Sequence, residues 1–161
     1  MKFSSKFGIL AYLLASGIIV IDQITKHLIL GLLGTQAGSS VPVGGPLNFT
    51  LVWNQGVSFG LFQAEHDLVR WILVAFSLIV AVLLVAWART ADRLTMGIGL
   101  GLVIGGAIGN AIDRIRFGAV VDFLDFQRLG FFPWVFNIAD AAITIGVVFL
   151  LLDSARKEPA A

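Results

Sequence analysis

The chain has 161 residues, of which 58% are hydrophobic and only 13% are charged, whereas soluble domains carry about 25% charged residues. This composition indicates an integral membrane protein, and the formal net charge of +1 predicts no nucleic-acid partner. The absence of cysteine excludes disulfides, thiolate nucleophiles and Cys-ligated zinc, and with only two histidines we expect neither a metal nor a cofactor.

Long apolar runs predict four transmembrane helices in a single membrane domain that covers residues 1–161. Residues 71–88 and 94–112 contain no charged side chain. Eighteen helical residues rise roughly 27 Å, which is close to the ~30 Å thickness of a hydrocarbon core. The predicted spans are about 7–33, 71–88, 95–112 and 131–152. The expected fold class is an all-α polytopic membrane protein with a small extracytoplasmic β-cradle in its first outer loop.

The first predicted helix begins like a secretory signal, because Lys2 and Lys6 precede an apolar stretch. The apolar run continues to Ile21, so we interpret it as an uncleaved anchor. Near its outer end, Asp22 and Lys26 lie four residues apart on one helix face, where they can form an ion pair. A structural pair and a substrate-orienting role both remain open.

The first outer loop, about residues 34–67, contains the sequence expected for a small sheet. Glycines and prolines are followed by residues 47–53, which alternate in polarity and are rich in aromatic and β-branched side chains. This pattern predicts a short sheet or hairpin on the membrane surface. The aromatic residues Trp53, Phe59 and Phe62 either close over a site or anchor the loop at the interface.

The third predicted helix carries glycines at intervals of four residues, at Gly97, Gly101, Gly105 and Gly109. Such a stripe predicts close helix packing, because its context and spacing do not match a dinucleotide-binding fingerprint. At the outer end of the same helix, one face carries three polar residues, namely Asn110, Asp113 and Arg114.

Further polar residues lie in and after the second outer loop, which is about residues 113–130. Asp122 is flanked by apolar residues, and Asn137 and Asp140 lie three apart at the entry to the fourth helix. The outer ends of helices one, three and four would bring these groups together. Intramembrane polar residues usually have a functional role, so this end of the bundle is the candidate site.

The residue types available favour aspartyl chemistry over the other hydrolytic mechanisms. The chain contains no H-E-x-x-H motif, and its single G-x-S-x-G match, at residues 56–60, lies within the predicted first outer loop with no predicted helix directly after it. Two neighbouring carboxylates can share one proton and act as acid and base. Asp140 and Asp122 are the strongest candidates, although a proton relay or structural pairing remains open. The competing functions are a small proton-coupled transporter or channel subunit and a non-catalytic assembly factor.

Five short motifs resemble those of the lipoprotein signal peptidases, the signal peptidase II family of bacterial membrane aspartyl proteases. Each motif is weak alone, but their order around four spans is specific. The matching segments are Asp22–Lys26, Asn54–Gly60, Gly105–Arg114, Val121–Phe123 and Phe136–Asp140.

The resemblance implies a role for each matching polar residue. It implies that Asp122 and Asp140 form the catalytic dyad of an endopeptidase that removes the signal peptide from prolipoproteins, cutting on the amino side of the diacylglyceryl-modified cysteine. It implies a set of substrate-binding or site-shaping residues, namely Asn54, Gly56, Asn110, Arg114 and Asn137. It also implies supporting roles for Asp22 and Lys26. Asp113 is expected to pair with Arg114, and Asp125 is expected to be a solvated loop acid.

The resemblance also implies a location and a set of partners. The expected location is the bacterial inner membrane, with both termini in the cytoplasm and the site at the outer face. The basic residues support this orientation weakly, since six lie on the predicted inner side and five on the outer side. The expected partners are lipid-modified prolipoproteins, membrane lipids and a globomycin-type inhibitor. The acyl chains of the substrate are expected to contact apolar walls such as those of helices two and three. We expect a monomer.

Overall fold

The computed structural model describes residues 5–56 and 67–155, so Phe59 and Phe62 lie outside the described residues. Within these residues, four helices are long and apolar enough to cross a membrane. They are α1 (Lys6–Leu33), α2 (Asp67–Ala88), α3 (Leu94–Phe117) and α4 (Ile138–Ala155). The predicted number of spans is therefore confirmed.

A four-stranded antiparallel sheet lies between the helices at one end of the bundle, which we call the sheet end. Its strands, in spatial order, are β1 (Ser40–Gly44), β2 (Leu47–Asn54), β3 (Val120–Asp125) and β4 (Val135–Phe136). The predicted hairpin in the first connection is confirmed as β1 and β2. The second connection supplies β3 and β4, so the sheet is built from both connections rather than from the first alone.

The boundaries of three helices differ from the predicted spans. The fourth begins at Ile138 instead of residue 131, because residues 131–137 lead into and complete β4. The third continues past residue 112 to Phe117 and ends where Gly118 adopts a left-handed conformation (φ 79°). The second begins at Asp67. Apolar composition alone does not distinguish a membrane span from an apolar strand, which explains the error in the fourth helix.

Helix α3 occupies the centre of the bundle and packs against each of the other three helices. In its most apolar stretch 72% of the residues are buried, against 11–22% in the other helices. The predicted glycine stripe is confirmed as the face toward α1. A Cβ added at Gly97, Gly101 or Gly105 would lie within 2.9 Å of an α1 backbone oxygen. The missing side chains therefore allow the two backbones to approach closely.

Candidate active site

Asp122 and Asp140 face the same cavity at the sheet end of the bundle. The cavity has a volume of about 840 Å³. Asp122 comes from β3 and Asp140 from the first turn of α4. Four other residues singled out from the sequence also line this cavity, namely Asn54, Gly56, Asn110 and Arg114. The fold thus brings together residues that are up to 86 positions apart in the chain.

Strand pairing explains how Asp122 reaches this position. Val121 and Asp122 pair with Trp53 and Val52 of β2, and the apolar neighbours Val121 and Phe123 are buried. Alternate residues of a strand point to opposite faces, so Asp122 points away from these two neighbours. Only 2% of its surface is exposed.

Three asparagine amides donate hydrogen bonds to the two carboxylates. Asn54 Nδ2 donates to Asp122 Oδ2 at 3.0 Å, and Asn137 Nδ2 donates to Asp122 Oδ1 at 2.6 Å. Asn110 Nδ2 donates to Asp140 Oδ1 at 2.8 Å. Asn137 is fully buried and contacts the carboxylates from behind the cavity wall. Each carboxylate is therefore held by a neutral donor rather than by a cation.

The environment of Asp122 raises the pKa of its carboxyl group from 3.8 to about 7. Burial is the largest cause, and the negative charge of Asp140 adds to it. The hydrogen bonds from Asn54 and Asn137 and the charge of Lys26 lower the pKa but do not cancel the increase. Near neutral pH this carboxyl exists in both protonated and ionised forms, which suits general acid–base chemistry.

Lys26 lies at the centre of a buried ionic cluster next to the cavity. Its Nζ is 2.9 Å from Asp22 Oδ2 and 2.7 Å from Asp113 Oδ2. The predicted pair of Asp22 and Lys26 is thus confirmed. Neither residue lines the cavity, which favours the structural alternative over direct contact with a substrate. Asp22 Oδ1 also accepts from the backbone N–H of Ala139, so the cluster joins α1 to the start of α4.

The predicted pairing of Asp113 with Arg114 is wrong. Asp113 accepts hydrogen bonds from Gln23 Nε2 and from the backbone N–H of Val121, in addition to its ion pair with Lys26. Successive residues on a helix point about 100° apart, so Asp113 faces α1 while Arg114 faces the cavity. The sequence shows which residues share a helix face but not which neighbouring element that face meets.

The prediction that Asp125 is a solvated acid is also wrong. Its exposed fraction is only 6%. Thr50 Oγ1 donates to Asp125 Oδ2 at 2.7 Å, and the backbone N–H of Gln127 donates to Oδ1 at 2.9 Å. Asp125 therefore stabilises the contact between β2 and β3 and the start of the 3₁₀ turn Gln127–Leu129. The prediction failed because residues 120–125 form a central strand rather than a loop.

Arg114 presents hydrogen-bond donors to the cavity. Its Nη1 makes a long hydrogen bond of 3.5 Å to the backbone oxygen of Asn110. Its buried Nε has no hydrogen-bond partner within residues 5–56 and 67–155. A buried donor of this kind is costly unless a ligand or water completes its bonding. Arg114 is therefore suited to hold a polar group of a bound molecule.

One part of the cavity is an apolar slot between α2 and α4. Helix α2 contributes Leu73, Phe76 and Val80, α4 contributes Ile143, and the small residue Ala107 of α3 lies between them. Both α2 and α4 pack on α3, but within the described residues they do not form a packed interface with each other. The expected apolar walls thus include α4 as well as helices two and three.

Residues 127–136, which run from the turn after β3 through β4, include cavity residues that the sequence reasoning missed. These are Gln127, Pro133, Trp134, Val135 and Phe136. Phe132 makes edge-to-face contacts with both Trp134 and Phe136, so the segment is internally packed. The signal in the sequence is the aromatic run immediately before Asn137, which the apolar composition places in a predicted membrane span.

No group of three or more metal-ligating side chains occurs among the residues that the structure describes. The arrangement offers two carboxylates, neutral amide donors and one guanidinium. These groups are suited to activating a water molecule against a carbonyl carbon.

Comparisons with known proteins agree with this geometry. A model of the family described as signal peptidase (SPase) II matches residues 14–156. The lipoprotein signal peptidase of Caulobacter vibrioides is 51% identical over 152 residues, which cover 94% of this chain and 89% of that relative. The lipoprotein signal peptidase of Methylobacterium radiotolerans is 46% identical over 153 residues, which cover 91% of this chain and 84% of that relative.

A solved structure has the same fold. It is described as a bacterial membrane enzyme determined by the in meso method at 1.9 Å resolution, and it is 30% identical with a TM-score of 0.79. The match covers 99% of both chains. Together with the four membrane-spanning helices, these matches identify a multi-pass bacterial membrane protein. The family model covers well over half of the chain, and the chain therefore belongs to the signal peptidase II family.

Proposed function

We propose that the protein removes the signal peptide from prolipoproteins by cutting one peptide bond, on the amino side of the diacylglyceryl-modified cysteine. Membership of the family makes it an aspartic protease that acts on prolipoproteins. The observation that carries the proposal is the pair of buried carboxylates, Asp122 and Asp140, in one cavity at the end of a membrane bundle.

In the proposed reaction Asp122 and Asp140 share one proton. The ionised carboxylate accepts a proton from water as the water oxygen bonds to the scissile carbonyl carbon, while the protonated carboxyl donates to the carbonyl oxygen. When the tetrahedral intermediate collapses, the C–N bond breaks and the new amino group of the cysteine receives a proton from the dyad. The products are the signal peptide carboxylate and the lipid-modified amine.

The polar residues around the dyad have two proposed roles. Arg114, Asn54 and the backbone near Gly56 bind the extended peptide, because they line the cavity. Asn110 and Asn137 orient the carboxylates, since their Nδ2 groups donate to Asp140 and Asp122. Fixed donors of this kind lower the cost of reorganisation in the transition state. Asp22, Lys26 and Asp113 do not line the cavity. Their ionic cluster holds α1, α3 and the start of α4 together next to it.

The apolar slot between α2 and α4 suits the lipid part of the substrate. Phe76 at its edge is largely exposed, so acyl chains could enter sideways from the bilayer. Because acyl chains pass from the bilayer into another apolar environment, the slot would select a lipidated substrate through van der Waals packing rather than through the hydrophobic effect. We propose that the sheet end lies at the outer face and that both termini lie in the cytoplasm.

Family membership supports the peptidase and not a transporter or channel subunit. A transport pathway needs polar groups across the whole depth of the membrane, whereas the polar cluster described above lies at the sheet end.

We also propose that the protein acts as a monomer and binds globomycin-type inhibitors in the same cavity.

The test is cleavage of a lipidated precursor by the purified protein in detergent, followed by mass spectrometry of both products. We expect one cut before the modified cysteine and inhibition by globomycin. The matched control substrate is the same precursor without the lipid, which should be cut much more slowly. A precursor that stays intact, or a cut at another bond, would reject the proposed function. Size-exclusion chromatography with light scattering tests the monomer.

A further inference from the structure

The orientation of the asparagine amides determines whether they can serve the dyad. The two ends of a side-chain amide have nearly the same shape, but one end only accepts hydrogen bonds and the other only donates them. Packing therefore cannot select the end that faces a carboxylate. The hydrogen-bond partners on the far side of each amide must select it.

Backbone N–H groups make this selection for two of the three amides. Asn54 Oδ1 accepts from the backbone N–H of Gly56, and Asn137 Oδ1 accepts from the backbone N–H of Asp140. Their Nδ2 groups are then directed to Asp122. The backbone supplies these donors whatever the side chains are.

Asn110 depends on two side chains instead. Its Oδ1 accepts from Lys26 Nζ and from Asn137 Nδ2, each at 3.3 Å. Its Nδ2 donates to Asp140 Oδ1 at 2.8 Å. In the reversed orientation the NH2 group would face two donors, and the oxygen would face the Asp140 carboxylate. All three contacts would then become repulsive.

Lys26 is held so that it can only act as a donor at this position. An ammonium group has three N–H donors and no acceptor. Asp22 Oδ2 and Asp113 Oδ2 bind it at 2.9 Å and 2.7 Å, and the contact with Asn110 completes the set of three. Only 2% of Lys26 is exposed, so it does not leave the amide for solvent.

We propose that Lys26 is a positioning residue that acts through Asn110, by fixing the amide so that its NH2 group faces Asp140. Lys26 does not touch the substrate. This role differs from neutralising Asp22 and Asp113, because it requires a hydrogen-bond donor and not a positive charge. The inference rests on the proposed function, since it assigns the orientation of a group that holds the dyad.

The experiment compares Lys26→Met with Lys26→Gln, each combined with Asp22→Asn. Removing one cation and one carboxylate preserves the formal net charge of the cluster. Met and Gln are both uncharged and similar in length, but only Gln can donate to Asn110. We expect the Met variant to have kcat about 10- to 100-fold lower than the Gln variant, with KM changed less than about threefold. Equal kcat values for the two variants would overturn the proposal.

A measurement on the unaltered protein tests the same orientation without any substitution. Proton-detected solid-state NMR on the labelled protein in lipid can locate the two Nδ2 protons of Asn110. We expect cross-peaks from these protons to the Cβ protons of Asp140. Cross-peaks to the Cε protons of Lys26 in their place would contradict the proposal.

The two proposals can fail separately. Cleavage by the unaltered chain and by the Asp22→Asn parent tests the function before any variant of Lys26 is considered. If the unaltered chain does not cut the lipidated precursor, the proposed function falls, and the NMR result still decides the orientation of Asn110. If it does cut and the Met and Gln variants are equal, only the role of Lys26 falls.

Discussion

At the scale of single residues, the two proposed catalytic carboxylates are held by amides and not by cations. Asp122 accepts hydrogen bonds from the amides of Asn54 and Asn137, and Asp140 accepts one from the amide of Asn110. A direct cation would lower the pKa of the carboxyl group strongly, whereas a neutral donor lowers it less. The nearby cation Lys26 is balanced by two acids of its own. Asp122 can therefore retain a proton near neutral pH.

The raised pKa of Asp122 predicts how activity depends on pH. Because the pKa of Asp122 in the folded protein is raised from 3.8 to about 7, its proton is present below this pH and is lost as pH rises through it. We expect kcat/KM for the lipidated precursor to fall above about pH 7. Initial rates from about pH 5.5 to 9 at low substrate concentration measure this directly. A flat profile up to about pH 9 would contradict the assignment.

At the scale of elements, α3 determines the position of the dyad because every other helix packs against it. Its face toward α1 was predictable, since glycines at intervals of four residues form one stripe. Its face toward α4 was not predicted. Gly99 and Gly106 lie close to Gly146 and Ala139, and these pairs follow from tertiary packing rather than from a period in the sequence. Ala139 directly precedes Asp140.

A substitution at Gly106 should therefore affect the site more than one at Gly97. A Cβ at Gly106 would collide with the backbone oxygen of Ala139. A Cβ at Gly97 would instead collide with Phe7 in the first turn of α1, at the end of the bundle opposite the sheet end. We expect each alanine variant to lose about 1–3 kcal/mol of stability. Only Gly106→Ala should lower kcat beyond what thermal unfolding explains, because it displaces the start of α4.

The control for these two variants is Gly31→Ala, since no atom lies within 4 Å of a Cβ added there. It should be neutral or slightly stabilising, because alanine favours a helix by about 1 kcal/mol relative to glycine. Thermal unfolding in detergent and cleavage rates should be measured for all three variants. Equal losses of kcat in Gly97→Ala and Gly106→Ala would contradict this account.

At the scale of the whole molecule, hydropathy was sufficient to predict the four spans, because few charged residues tolerate a bilayer. The sheet was only half predicted. β1 and β2 form a local hairpin with clear turn residues, whereas β3 pairs with β2 at separations from 66 positions (Asn54 with Val120) to 77 positions (Asn48 with Asp125). Long-range pairing leaves no local pattern. From the sequence alone, the β3 segment is therefore predicted as part of a loop and the β4 segment as part of a membrane span.

The orientation in the membrane is predicted for the whole chain and can be tested with single cysteines. The chain contains no cysteine, so one introduced residue gives an unambiguous label. Val43 is exposed in β1, and Thr90 is exposed in the connection between α2 and α3. We expect a membrane-impermeant maleimide to label Val43→Cys in cells with a permeabilised outer membrane.

Thr90→Cys is the matched control for that label, because it lies at the opposite end of the bundle. It should react only after the inner membrane is disrupted. Labelling of Thr90→Cys before disruption, with protection of Val43→Cys, would reverse the proposed orientation.

The most direct test of the central claim compares three isosteric substitutions, Asp122→Asn, Asp140→Asn and Asp125→Asn. Asp125 is a suitable control because it is a buried carboxylate on the same strand as Asp122 but does not line the cavity. The measurement is the rate of cleavage of the lipidated precursor by each purified protein. We predict that Asp122→Asn and Asp140→Asn each lower kcat at least about 10³-fold, whereas Asp125→Asn retains most of the activity. Cleavage at the normal rate by either dyad variant would contradict the assignment of Asp122 and Asp140 as the catalytic pair.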